Sequence, residues 1–157
     1  MRESVFAILG DLDGSAFLDL FAGSGIIGIE AASRGASRIV MVERDQKKRE
    51  VIKRNVSISG VPIELLISPV EKYLRRSPER FDYIFLDPPF SYKEKETLLQ
   101  RLPTNPNGVI LLHHPGDTLP EVLFGLERFD HRTYGGSHVD FFRSTIDDIG
   151  PLGPSVD

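Results

Sequence analysis

The 157-residue chain contains no cysteine, which rules out disulfides, thiolate metal ligands and any mechanism in which a cysteine attacks a pyrimidine ring. It has no apolar run long enough to cross a bilayer and no basic-then-apolar leader, so a soluble, cytoplasmic protein is expected. Basic residues are not in excess either: 19 Lys and Arg stand against 23 Asp and Glu, a formal net charge of −4. A protein gripping phosphate backbones over its whole surface would show the opposite balance, so any nucleic-acid contact must be local. Internal repeats and low-complexity tracts are also missing.

The chain is long enough for one domain with a sheet covered on both faces. Apolar runs at 16–21, 38–43, 63–67, 81–87 and 108–113 read as buried strands, and 26–34, 45–58, 69–76 and 93–101 carry helical spacing. Strict alternation predicts parallel strands in a doubly wound α/β sheet, with ligands at the carboxyl ends of the strands. The pattern then changes. Segments 123–131 and 138–144, joined by a turn at Tyr134-Gly135-Gly136, predict a hairpin and an antiparallel C-terminal strand, seven strands in all. Residues 2–9 predict a short helix laid on the sheet. The domain is expected to occupy 1–144, and 145–157 to be a loose tail.

The first strand runs through Asp19 and Phe21 into a turn with Gly23, Gly25 and Gly28. This is a G-x-G-x-x-G pattern that suits a dinucleotide pyrophosphate as well as S-adenosylmethionine. Asp19 favours the second, because a carboxylate there repels pyrophosphate but attracts an ammonium or a sulfonium; the competing reading is a turn acid. Glu43 ends the second strand, where an acid can accept ribose hydroxyls, while Asp45 is better placed to cap the next helix.

Asp87-Pro88-Pro89-Phe90 follows the fourth apolar strand directly. The prolines fix φ and push Asp87 to an extended shape, giving a stiff loop with one carboxylate, one bare carbonyl and one ring. Those are the groups that methylation of an exocyclic amino group needs: two acceptors for its N–H bonds and a surface on which the base can stack. The competing reading is a proline-rich strand end with Phe90 in the core.

These segments resemble the class I methyltransferases, and within them the RsmD-type 16S ribosomal RNA guanine-N2 methyltransferases. The resemblance is carried by Arg2-Glu3-Ser4-Val5-Phe6, the Asp19 to Gly25 turn, Ser33-Arg34-Gly35-Ala36, Val42-Glu43, the Asp87 to Phe90 loop and Tyr134-Gly135. It implies a Rossmann-like seven-stranded sheet and direct methyl transfer from S-adenosyl-L-methionine to guanine N2. The implied partner is 16S rRNA or the small ribosomal subunit, and the expected form is a monomer without metal. The implied catalytic residues are Asp87, Pro88, Pro89 and Phe90; the cofactor binders are Asp19, Phe21, Gly23, Gly25, Glu43, Arg44 and Ser68, with Arg2 and Glu3 at the start of a covering helix. Ser68 stands where the family usually has Asp or Asn near the adenine. The family's usual opening hairpin and basic segment are not seen before Met1-Arg2-Glu3, which would accord with the negative net charge. An adenine-N6 methyltransferase, a dinucleotide oxidoreductase and a non-catalytic cofactor-binding remnant are the alternatives.

The remaining charged groups read more plainly. Lys47, Lys48, Arg49, Lys53, Arg54, Arg75, Arg76 and Arg80 suit solvated helix faces. Lys93 and Lys95 follow the proline loop closely enough to reach a phosphate. His113 and His114 must point to opposite faces of a strand, and with His131 and His138 they form no zinc spacing, so no metal is predicted.

Overall fold

The apolar residues of each strand need cover on two faces, and a computed structural model, describing residues 1–76, 79–117 and 119–145, places five helices around one sheet. The elements run α1 (Arg2–Leu9), β1 (Ala16–Asp19), α2 (Ile26–Ser33), β2 (Arg38–Glu43), α3 (Arg49–Ser59), β3 (Glu64–Ile67) and α4 (Val70–Arg76). They continue with β4 (Phe81–Leu86), α5 (Lys95–Gln100), β5 (Thr104–His114), β6 (Val122–Leu123), β7 (Leu126–Tyr134) and β8 (Ser137–Ser144). The sheet order is β3-β2-β1-β4-β5-β8-β7-β6. Strands β1 to β5 are parallel, and β8 inserts antiparallel between β5 and β7.

Successive side chains on each strand pass to opposite faces. Phe17, Ile39, Phe85, Leu111 and Phe141 pack on one face with Val5 and Phe6 of α1 and Ala31 of α2; Met41 meets Ile52 of α3. On the other face Leu18, Val40, Ile84, Ile110 and Phe142 pack with Val70 and Tyr73 of α4 and with Leu98 and Leu99 of α5. Between β1 and β4 the strand order reverses, and this switch point is where ligands collect in such sheets.

Several boundaries differ from the sequence expectation, each for a local reason. The strand expected over 123–131 is divided by Phe124 and Gly125, both at positive φ (51° and 76°), a two-residue turn that creates the short edge strand β6. Strand β5 starts at Thr104 instead of 108, because a register shift between Phe81 and Tyr83 lets pairing resume across an irregular step. The Asp45 side chain accepts the Lys47 N–H at 3.0 Å and opens a 3-10 turn over Gln46–Lys48, after which α3 begins. The expected tail lies, from residue 146 on, outside the described residues. No helix among the described residues is long and apolar enough to cross a membrane.

Candidate active site

Strand register brings three acids together. Asp19 pairs with Met41 on one side and with Phe85 on the other, so Glu43 and Asp87, each two residues further along, share its face and stand one pleat beyond it. Asp19 is fully buried; its Oδ1 accepts the Phe21 N–H at 3.2 Å and its Oδ2 has no partner. Burial pushes the Asp19 carboxyl up to about 7, and the charges of Asp87 and Glu43 add to the rise against the Phe21 hydrogen bond. A buried carboxylate with an open oxygen and two acidic neighbours is a place for a cation.

The glycine turn lies beside these acids. Gly23 adopts φ 59° and Gly25 φ 85°, conformations that cost most residues about 1–2 kcal/mol. Gly25 precedes the first residue of α2. A Cβ on Gly23 would meet nothing within 4 Å, whereas one on Gly25 would approach Ile52 at 3.1 Å. Glu43 is buried and braces the turn: Oε1 accepts the Gly23 N–H and Oε2 the Asp45 N–H, both at 2.8 Å.

The proline loop is fixed from several sides. The Tyr92 N–H donates to the Pro89 carbonyl at 2.8 Å, the Tyr92 ring meets Phe21 edge-on at 5.8 Å, and its hydroxyl donates to Glu71 at 2.9 Å. Lys95 is buried, donating to the Tyr92 carbonyl at 2.7 Å and pairing with Asp117 at 2.6 Å. Lys95 is therefore a brace for the loop and is not free for a phosphate, contrary to the sequence expectation. Phe90 is half exposed and outside the core. From β5, on the same face as Asp87, His113 Nδ1 donates to Asp87 Oδ1 at 2.8 Å, and its ring meets Phe90 edge-on at 5.6 Å. The His113 Nε2 is buried and without a partner.

Phe21, Gly23, Glu43, Arg44, Asp87, Pro88, Pro89 and Phe90 line one cleft of about 800 Å³. Asp19 and Gly25 do not line it: Asp19 is buried one pleat before Glu43 and Asp87, and Gly25 stands at the start of α2. Ser68 is not brought in: it borders a separate cavity of about 390 Å³ with Leu66 and Lys72, and its hydroxyl donates to the Pro69 carbonyl. Arg2 stands 3.5 Å from Glu30 of α2, and neither Arg2 nor Glu3 borders the cleft. The sequence reading misses Gln46, Lys48 and His113, the first two of which line the cleft. Lys48, expected on a solvated face, ends the 3-10 turn that follows β2 and borders the cleft. His113 is linked to the loop only by pairing of β4 with β5, which no local motif reveals.

A doubly wound sheet with this strand order, an acid-floored glycine turn and a proline loop at its switch point defines an S-adenosyl-L-methionine-dependent methyltransferase of class I. The family model described as "Conserved hypothetical protein 95" matches residues 1–143. The chain belongs to this family, that of the RsmD-type methyltransferases. The Bacillus subtilis protein YlbH is 32% identical over 154 residues, covering 91% of this chain and 84% of YlbH. The ribosomal RNA small subunit methyltransferase D of Haemophilus influenzae is 32% identical over 127 residues, covering 74% of this chain and 66% of that protein. A solved structure of a conserved hypothetical protein from Streptococcus pyogenes superposes with a TM-score of 0.87 at 29% identity, covering 92% of this chain and 95% of that one.

Proposed function

We propose that the chain methylates the exocyclic N2 of a guanine in 16S ribosomal RNA. One observation carries this reading: the Asp87 to Phe90 loop and Gly23 of the glycine turn line a single cleft, with Asp19, Glu43 and Asp87 on one face of the sheet. The choice of guanine N2 follows the family resemblance, and the ribosomal substrate accords with the named relative from Haemophilus influenzae.

The chain's residues fit S-adenosylmethionine. The open Oδ2 of Asp19 answers a cationic group, and the unobstructed Gly23 lets a ligand approach the backbone. Glu43 accepts one backbone N–H on each oxygen and retains lone pairs for ribose hydroxyls. Bound there, the cofactor supplies an electrophilic methyl group. The base amine lies between Asp87 Oδ2, since Oδ1 is held by His113, and the Pro88 carbonyl; Phe90 offers its half-exposed ring for stacking. Two accepted N–H bonds draw electron density back onto a nitrogen whose lone pair is otherwise delocalised into the ring. Arg44 and Lys48 at the rim give the local positive charge that the acidic chain needs to hold a phosphate.

Incubating unmodified small-subunit rRNA with labelled cofactor and analysing the nucleosides should yield N2-methylguanosine. N6-methyladenosine as the product would instead favour the alternative amine acceptor, and an unlabelled RNA would remove the reading. At the turn, Gly23→Ala is expected to cost about 1–2 kcal/mol of stability from its backbone conformation alone. Its methyl would also face the ligand, so calorimetry should show cofactor affinity falling by more than thermal unfolding accounts for.

A further inference from the structure

The antiparallel end of the sheet gathers three histidines and an aspartate on the face opposite Asp87. His114 pairs with His138 and Leu112 with Asp140 across β5 and β8, while His131 pairs with Asp140 across β7 and β8, so His114, His131, His138 and Asp140 share one face. Asp140 is fully buried, and both oxygens accept: Oδ2 from His114 Nε2 at 2.9 Å, Oδ1 from His131 Nδ1 in a short bond. His114 Nδ1 accepts the N–H groups of Gly116 at 3.1 Å and Asp117 at 2.9 Å. A nitrogen that accepts two N–H bonds carries no proton, so His114 holds its proton on Nε2 and neither nitrogen has a lone pair left for a metal. His131 differs. Its Nδ1 donates to Asp140, which turns Nε2 outward at 3.2 Å from His138 Nδ1.

We propose that His131 Nε2 and His138 Nδ1 form a site for a divalent ion of the zinc, nickel or copper class, backed by Asp140 and His114. Two imidazole nitrogens, each about 2.0–2.1 Å from one tetrahedral zinc ion, stand about 3.3 Å apart, and here the separation is 3.2 Å. A carboxylate accepting the far N–H of a ligating histidine is the usual support of such a ligand, fixing its tautomer and raising its basicity. Imidazole suits these ions, and the His131 side chain is 42% exposed, which leaves the remaining coordination positions to water. Thr133 Oγ1, 3.4 Å from His138 Nδ1, can accept from such a water. The opposing charge is Arg128, whose Nη1 lies 3.8 Å from Asp140 Oδ1. The ligands come from two strands, so the ion would staple the β7–β8 hairpin, and their spacing in the chain follows strand pairing instead of a metal motif.

The test is calorimetric titration of the tag-free full chain with zinc and with nickel, paired with X-ray absorption at the nickel edge. One ion per chain with two imidazole ligands is expected. His138→Ala and His131→Ala, both outside the core and checked for fold by circular dichroism, should each weaken binding tenfold or more. Asp140→Asn should weaken it by about 10–100-fold; if that buried change unfolds the protein, the two histidine variants decide. Undiminished binding in His138→Ala, or no stoichiometric binding by the parent chain, would overturn the site and leave the two nitrogens as neighbours sharing a proton.

Discussion

Asp87→Ala is expected to lower kcat for methyl transfer by about 10²–10³-fold, the usual cost of losing one aimed group or an aligned geometry at the reacting centre. Asp87 is the loop's only carboxylate, and its extended backbone is set by Pro88. Cofactor affinity, measured separately by calorimetry, should change little, since the glycine turn is braced by Glu43 and not by Asp87. The split between kcat and cofactor binding is the informative readout: equal losses in both would mean that Asp87 shapes the cofactor pocket. His113→Ala should reproduce a smaller part of the kcat loss with cofactor binding intact, because it frees Asp87 Oδ1 and removes the ring against Phe90. A His113→Ala enzyme as fast as the parent would exclude a positioning role for that histidine.

Asp19→Asn is expected to do two opposite things. Burial raises the Asp19 carboxyl from 3.8 to about 7, aided by Asp87 and Glu43. The folded protein therefore keeps a proton that the unfolded chain releases, so stability falls as pH rises from about 4 to about 7 and stays low above that. The whole window is worth on the order of 4 kcal/mol. Asparagine removes that titration, so the variant without ligand should melt higher than the parent at pH 8 and lose the slope between pH 4 and 7. Its affinity for S-adenosylmethionine should fall by about 100-fold or more, the cost of breaking a buried charge pair. Scanning calorimetry across pH and binding calorimetry at pH 8 measure the two effects. Parent-like cofactor affinity in Asp19→Asn would refute the cation role, whatever the melting curves show.

Much of this molecule was readable before its folding was known, and the division follows the range of the interactions involved. The glycine turn and the proline loop declare themselves because their backbone constraints are local: Gly23 needs positive φ, and Pro88 restricts its neighbour Asp87. Apolar runs reveal the parallel strands β1 to β5, since each buries residues on both packed faces of the sheet. What escaped depends on partners distant in the chain. His113 reaches Asp87 from 26 residues away, Lys95 is drawn inward by Asp117, and the histidines of β5, β7 and β8 meet only through strand pairing. The break at Phe124 escaped for another reason: an aromatic residue at positive φ is uncommon enough that no sequence rule expects it.

Glu43 has a consequence for how a ligand arrives. By gripping the amides of Gly23 and Asp45 at once, it acts as a strut between the loops after β1 and β2, set during folding and needing no visitor. The entropy of ordering that half of the cleft is then spent before any encounter. Free and liganded forms should accordingly superpose closely around the first two strands, with adjustment left to the rim where Phe90, Arg44 and Lys48 meet the larger guest.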